Sequence, residues 1–178
     1  MTHVFTYGSL MFERVWSRVV RGTYPAAAAT LTGFRRQRVL GQDYPSLLRI
    51  GGSDDNRSAA GVGSQAEAQA EAQAEAQAEG PAEEHAEAAL AGVVYLDVQA
   101  EDLATLDAFE GSEYRRIQVQ VTVLAQVDGG PAPGSLLRAD TYLFIASDKV
   151  APGPWDPDDF ERERIERFLR EYPPPRPA

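Results

Sequence analysis

The chain has 178 residues, 43% of them hydrophobic, with seven Phe, seven Tyr and two Trp, which is enough apolar surface to build one core. Its 27 acidic and 17 basic residues give a net charge of -10, so neither a nucleic-acid backbone nor an anionic membrane fits as the main partner. There is no cysteine, which excludes a disulfide framework, a thiol nucleophile and a thiolate metal site.

Seven of the ten net charges are glutamates between Ser64 and Ala88 (67, 71, 75, 79, 83, 84 and 87), where no Lys or Arg occurs, so the rest of the chain is nearly neutral. The two histidines, His3 and His85, share no helix face or short spacing, and imidazole metal binding is not expected. The N-terminus shows no basic stretch leading into an apolar one, and no window approaches the length of a membrane span. The expectation is a soluble cytoplasmic protein without metal or cofactor.

In chain order, His3 to Thr6 reads as a short buried strand that runs through "YGSL" into a helix over Leu10 to Val20, stopped by Gly22. A strand ending in a glycine turn is a common way to aim backbone N–H groups at a ligand, because glycine permits close approach and positive φ. "ATLTGFRRQRVL" alternates around Leu31, Phe34 and Val39 as one strand, and "YPSLLRI" gives another after a turn at Gly41.

From about residue 51 to 88 the composition shifts to Gly, Ser and Asp and then to the repeat "QAEAQAEAQAEAQAE". Helix propensity is high there, but the repeat has no apolar side chain larger than Ala, and its glutamates stack at i,i+4 as like charges. It is expected to be a solvated low-complexity insert that interrupts a single domain.

"ALAGVVYLDV" is a buried strand, Ala100 to Phe109 a helix, and "YRRIQVQVTVLAQV" a strand with Ile117, Val119, Val121 and Val123 on one face. "GGPAPGS" turns the chain into "ADTYLFIA", the second strand of a hairpin. Asp156 to Glu171 is a charged helix anchored by Phe160, Ile165, Phe168 and Leu169, and "PPPRPA" ends it. Five or six strands without regular strand–helix alternation point to an α+β fold around a small mixed, barrel-like sheet with a few flanking helices.

"LDAFEGSEYRR" places Glu110 at a helix-to-strand junction with Gly111 as the residue just past the helix. Between core-like Leu106 and Phe109, its carboxylate is either partly desolvated, and so a better base near neutral pH, or an ordinary exposed helix-end glutamate. Ser9 has no G-x-S-x-G elbow and no well-placed His, which argues against a serine nucleophile. Tyr7, Tyr114 and Trp155 each suit core packing as well as a place against a ligand.

Together "YGSL", "GVVYLDV", "LDAFEG" and "YRR", in this order, resemble the gamma-glutamylcyclotransferase-like family. The likeness extends to its AIG2-like branch through the "YP" of Tyr44 and Pro45 and the "WD" of Trp155 and Asp156. It covers about Val4 to Ile50 and Leu90 to Leu169. The resemblance implies that Tyr7, Gly8, Ser9 and Leu10 cradle the glutamyl head of a small gamma-glutamyl substrate, that Tyr114 contacts it, and that Glu110 is the acid/base. It also implies that the substrate's α-amine attacks its own gamma-carbonyl, so that 5-oxoproline forms without an enzymic nucleophile. The rival is a non-catalytic module that binds a small carboxylate or peptide end on the same fold.

Overall fold

The computed structural model describes residues 2–51 and 89–172. β1 (Thr2–Thr6) leads through a 3-10 turn (Ser9–Met11) into α1 (Glu13–Val19), followed by β2 (Ala26–Leu31), β3 (Phe34–Val39) and β4 (Pro45–Arg49). Beyond the low-complexity insert come β5 (Leu90–Val98), α2 (Ala100–Glu110), β6 (Tyr114–Val123), β7 (Leu136–Phe144) and β8 (Val150–Pro154). A C-terminal helical segment runs as α3 (Pro157–Asp159), a π-helical stretch (Phe160–Arg164) and α4 (Ile165–Glu171). The low-complexity repeat lies outside the described residues.

Five strands close into a barrel in the order β1-β5-β2-β6-β7. β1 and β7 run parallel, while the other neighbouring pairs are antiparallel, so the fold is α+β with a mixed, barrel-like sheet. The hairpin of β6 and β7 keeps one register from Tyr114 opposite Phe144 to Thr122 opposite Leu136. Val119, Val121 and Val123 turn inward from β6 onto Phe5, Val94 and Leu96, because alternate residues of a strand share a face. A second sheet, β4-β3-β8, stands beside the barrel.

Three local expectations change. The segment around Gly33 is two strands rather than one: Gly33 takes φ +78 and turns the chain from β2 in the barrel to β3 in the second sheet. The first helix is short and ends at Val19, with Val20 already extended; Gly22 instead donates its N–H to Asp102 at 2.9 Å. β8 (VAPGP) carries no strand signal of its own and exists through pairing with β3, on a sheet edge where proline is tolerated.

A second core lies between α1, α2 and the C-terminal helical segment, where Val15, Trp16, Val19, Leu106, Phe160 and Phe168 are buried together. Buried Asp102, in the first turn of α2, accepts from the N–H of Arg21, the N–H of Gly22 and the hydroxyl of Tyr24. That clamp fixes the α2 axis and therefore where its last residue, Glu110, stands. Among the described residues no helix is long and apolar enough to cross a membrane.

Candidate active site

The segment after β1, the start of β4, the end of α2, the start of β6 and the C-terminal helix surround a cavity of about 100 Å³, room for several waters or a compact polar group. Tyr7, Gly8, Ser9, Leu10, Glu110 and Tyr114, far apart in sequence, all line it. Tyr44, Pro45, Phe109, Tyr142, Phe168 and Tyr172 complete much of its wall.

Tyr7 is both a core residue and a wall. It is buried, and its hydroxyl donates to the carbonyl of Tyr142 at 2.7 Å. Tyr114 donates its hydroxyl to the carbonyl of Pro45, also at 2.7 Å, and so ties β6 to β4. Burial pushes both phenols well above the ordinary tyrosine range. Their protons are committed to main-chain carbonyls, so the two rings fix the frame of the cavity.

Gly8 has φ -126, outside the left-handed region, so conformational freedom is not why glycine stands there. The reason is space: a β-carbon at position 8 would come within 2.6 Å of Pro45. Gly8, Ser9 and Leu10 are all buried, yet their backbone N–H groups donate to no acceptor among the described residues. The 3-10 turn supplies no partner, since its first bond runs from the N–H of Met11 to the carbonyl of Gly8. Buried N–H groups are rarely left unpaired. The Ser9 hydroxyl likewise makes no hydrogen bond to the described residues but is not sealed from solvent.

Glu110 closes α2, and Gly111 follows with φ +72, the left-handed conformation that terminates a helix at low cost. Its carboxyl makes no hydrogen bond to the described residues, and neither oxygen is fully shut off from the cavity. Burial first, and the nearby charge of Asp107 second, push its pKa up to about 8. Asp107 is itself engaged, accepting from the Tyr142 hydroxyl at 2.8 Å with Arg116 Nε 3.4 Å away.

Glu113 is differently placed. It does not line the cavity; it pairs with Lys149 and accepts from the Tyr44 hydroxyl at 3.1 Å, and the Lys149 contact holds its pKa below the usual range. Trp155 is buried, donates its indole N–H to the carbonyl of Asp43 at 2.6 Å and lies outside the cavity lining. The Asp43 carboxylate is gripped through two oxygens by Arg167. Asp43 thus joins the residues before Tyr44 to the helix that carries Phe168 and Tyr172. Among the described residues no group of three or more His, Asp or Glu is placed to hold a metal ion.

Tyr142, Phe168 and Tyr172 carry no local signal of a site in the sequence. A strand tyrosine and helix aromatics read as core; the barrel brings Tyr142 of β7 to the cavity, and the packing of the C-terminal helix brings Phe168 and Tyr172.

A family model described as "Gamma-glutamyl cyclotransferase, AIG2-like" matches residues 74–157, a span that includes Glu110 and Tyr114. "AIG2-like protein D" from Arabidopsis thaliana is 26% identical over 171 residues, 96% of this chain and 86% of the relative. "AIG2-like protein A" from the same plant is 24% identical over 96% of this chain and 78% of its own length. The fold is shared with the solution structure of an Arabidopsis thaliana protein (TM-score 0.55, 21% identity, 96% and 79% of the two chains). It is shared also with a structure named "Gamma-glutamyl cyclotransferase" (TM-score 0.53, 14% identity, 99% and 90% of the two chains). With the motif order, the matched family model and the shared barrel in agreement, the chain resembles the AIG2-like branch of the gamma-glutamylcyclotransferase-like family.

Proposed function

We propose that the protein is a gamma-glutamyl cyclotransferase that releases an amine or amino acid from a gamma-glutamyl compound and forms 5-oxoproline, with Glu110 as the acid/base. The observation that carries this reading is the juxtaposition, on one cavity, of a carboxyl with a pKa of about 8 and three buried residues, Gly8, Ser9 and Leu10, where neither the carboxyl nor the three N–H groups have a hydrogen-bond partner among the described residues. A glutamyl head offers complementary groups: a carboxylate and a carbonyl oxygen to accept from Gly8, Ser9 and Leu10, and an α-ammonium to give a proton to Glu110.

The chemistry then needs one proton carrier. Glu110 as carboxylate takes a proton from the α-ammonium, and the freed amine attacks the gamma-carbonyl carbon to form the new C–N bond of the lactam. Negative charge collects on the carbonyl oxygen, where the N–H donors of the loop stabilise it. As the bond from that carbon to the departing nitrogen breaks, Glu110 returns the proton to the leaving amine. It then takes the second proton from the attacking nitrogen, leaving the neutral lactam N–H, and passes it on to the released amine, which departs as an ammonium. No water is consumed, and no covalent enzyme intermediate forms. A carboxyl with a pKa near 8 serves both halves, since neither its loss nor its gain of a proton is strongly uphill at neutral pH.

A panel of gamma-glutamyl amines, amino acids and dipeptides incubated with the protein tests this directly. Formation of 5-oxoproline with equimolar amine is expected from at least one of them. Binding without turnover across the panel would replace the enzyme by the non-catalytic module.

A further inference from the structure

Arg36, on β3 in the second sheet, is a partly buried cation for which the reaction above has no use. Its Nη1 donates to the carbonyl of Tyr7 and lies 3.5 Å from the sulfur of Met11, and its guanidinium carbon stands 5.2 Å from the centre of the Trp155 ring. No carboxylate among the described residues comes within ion-pair distance of it. Asp156 lies near enough to favour the charged form without pairing with it, and the groups in contact with the guanidinium are a carbonyl dipole and an aromatic face, neither of which cancels the charge.

The carbonyl of Tyr7 and the N–H of Gly8 are two ends of one peptide unit. A cation hydrogen-bonded to the oxygen draws electron density from the nitrogen and makes the N–H a stronger donor, as in any polarised chain of hydrogen bonds. Gly8 is buried and lines the cavity, and its N–H has no acceptor among the described residues.

We propose that Arg36 is a positioning residue which, through the Tyr7–Gly8 peptide, strengthens the Gly8 N–H as donor to the gamma-carbonyl oxygen of the substrate. The proposal rests on the cyclotransferase reading. Because that oxygen gains charge only as the ring closes, the strengthened donor acts more on the transition state than on the bound substrate, and its loss appears in kcat rather than KM.

The test compares wild type, Arg36→Met and Arg36→Lys on a gamma-glutamyl substrate that the wild type turns over. Arg36→Met, which keeps the length but removes charge and donor, is expected to lower kcat about tenfold or more with KM within about threefold. Arg36→Lys, which can still donate to the Tyr7 carbonyl, is expected to recover most of that loss. Wild-type kcat in the Met variant, or a raised KM at unchanged kcat, would overturn the proposal, the latter showing that the residue only shapes the loop.

A second measurement does not depend on turnover. In amide spectra of the full chain, the Gly8 proton is expected to move downfield on adding 5-oxoproline, whose ring carbonyl is the former gamma-carbonyl, nearly as far in Arg36→Lys and less in Arg36→Met. A Gly8 amide indifferent to saturating 5-oxoproline would end the proposal. If no gamma-glutamyl compound is turned over by the wild type, the cyclotransferase reading falls by itself, and the amide shift still decides whether Arg36 acts on Gly8.

Discussion

Gly8 and Pro45 touch where only a hydrogen fits: a β-carbon on Gly8 would stand 2.6 Å from Pro45 Cγ and 2.9 Å from its Cδ. The contact joins the loop after β1 to the first residue of β4, and Tyr114 hangs from the same proline through its carbonyl. Any side chain at position 8 must push the loop or Pro45 aside, and with it one wall of the cavity.

Gly8→Ala and Gly8→Val should therefore fold, at a cost of about 1–3 kcal/mol from overpacking. Their kcat/KM should fall at least about tenfold, Val more than Ala. Steady-state kinetics beside thermal melts check this; wild-type kinetics in the Val variant would show that the loop is no part of the site.

Glu110→Gln preserves shape but removes the base, and kcat should drop by at least about 10²-fold while an unreactive gamma-glutamyl analogue still binds. In the wild type, kcat/KM should climb with pH and level off near the carboxyl's pKa of about 8, and this limb should be absent from the Gln variant. Near wild-type turnover in Glu110→Gln would remove the residue from the chemistry.

The same carboxyl makes a stability prediction. Its folded pKa of about 8 lies above the ordinary value of 4.5, so between these pH values the folded chain holds a proton that the unfolded chain has lost. Its contribution is complete below about pH 4.5 and is lost as pH rises toward 8. Melting temperatures of wild type and Glu110→Gln, taken across that window, should diverge in favour of the Gln variant and run parallel above it.

Glu113 is the nearby carboxylate most easily mistaken for the acid/base, but Lys149 and Tyr44 hold it ionised outside the cavity lining. Glu113→Gln should leave kcat within about threefold of wild type, since it changes only the support of Tyr44. A loss matching that of Glu110→Gln would shift the assignment to Glu113.

The repeat from Ser64 to Glu79 has no large apolar side chain to bury. Its deletion with closure of the loop should change stability by no more than about 1 kcal/mol, because closure entropy varies slowly with loop length. Denaturant titration of the deletion variant measures this, and loss of a cooperative transition would show that the segment does more than space.

The sequence by itself determined the elements whose signals are local. The alternation of Val119, Val121 and Val123 set the face of β6, the apolar run of β5 marked a strand, and Gly111 marked where α2 stops beside Glu110. The motifs also marked Tyr7 to Leu10, Glu110 and Tyr114, because each lies next to a turn whose chemistry is written in adjacent residues. Tertiary structure decided what depends on distant partners. β8 is a strand only through β3, Gly8 is glycine because Pro45 is there, Tyr142 reaches the cavity through the barrel, and Phe168 and Tyr172 reach it only once the C-terminal helix has packed. The Glu110 pKa belongs to this second class: a helix-end glutamate titrates near 4.5 in water, and only the protein packed around it, with Asp107 alongside, moves it to about 8.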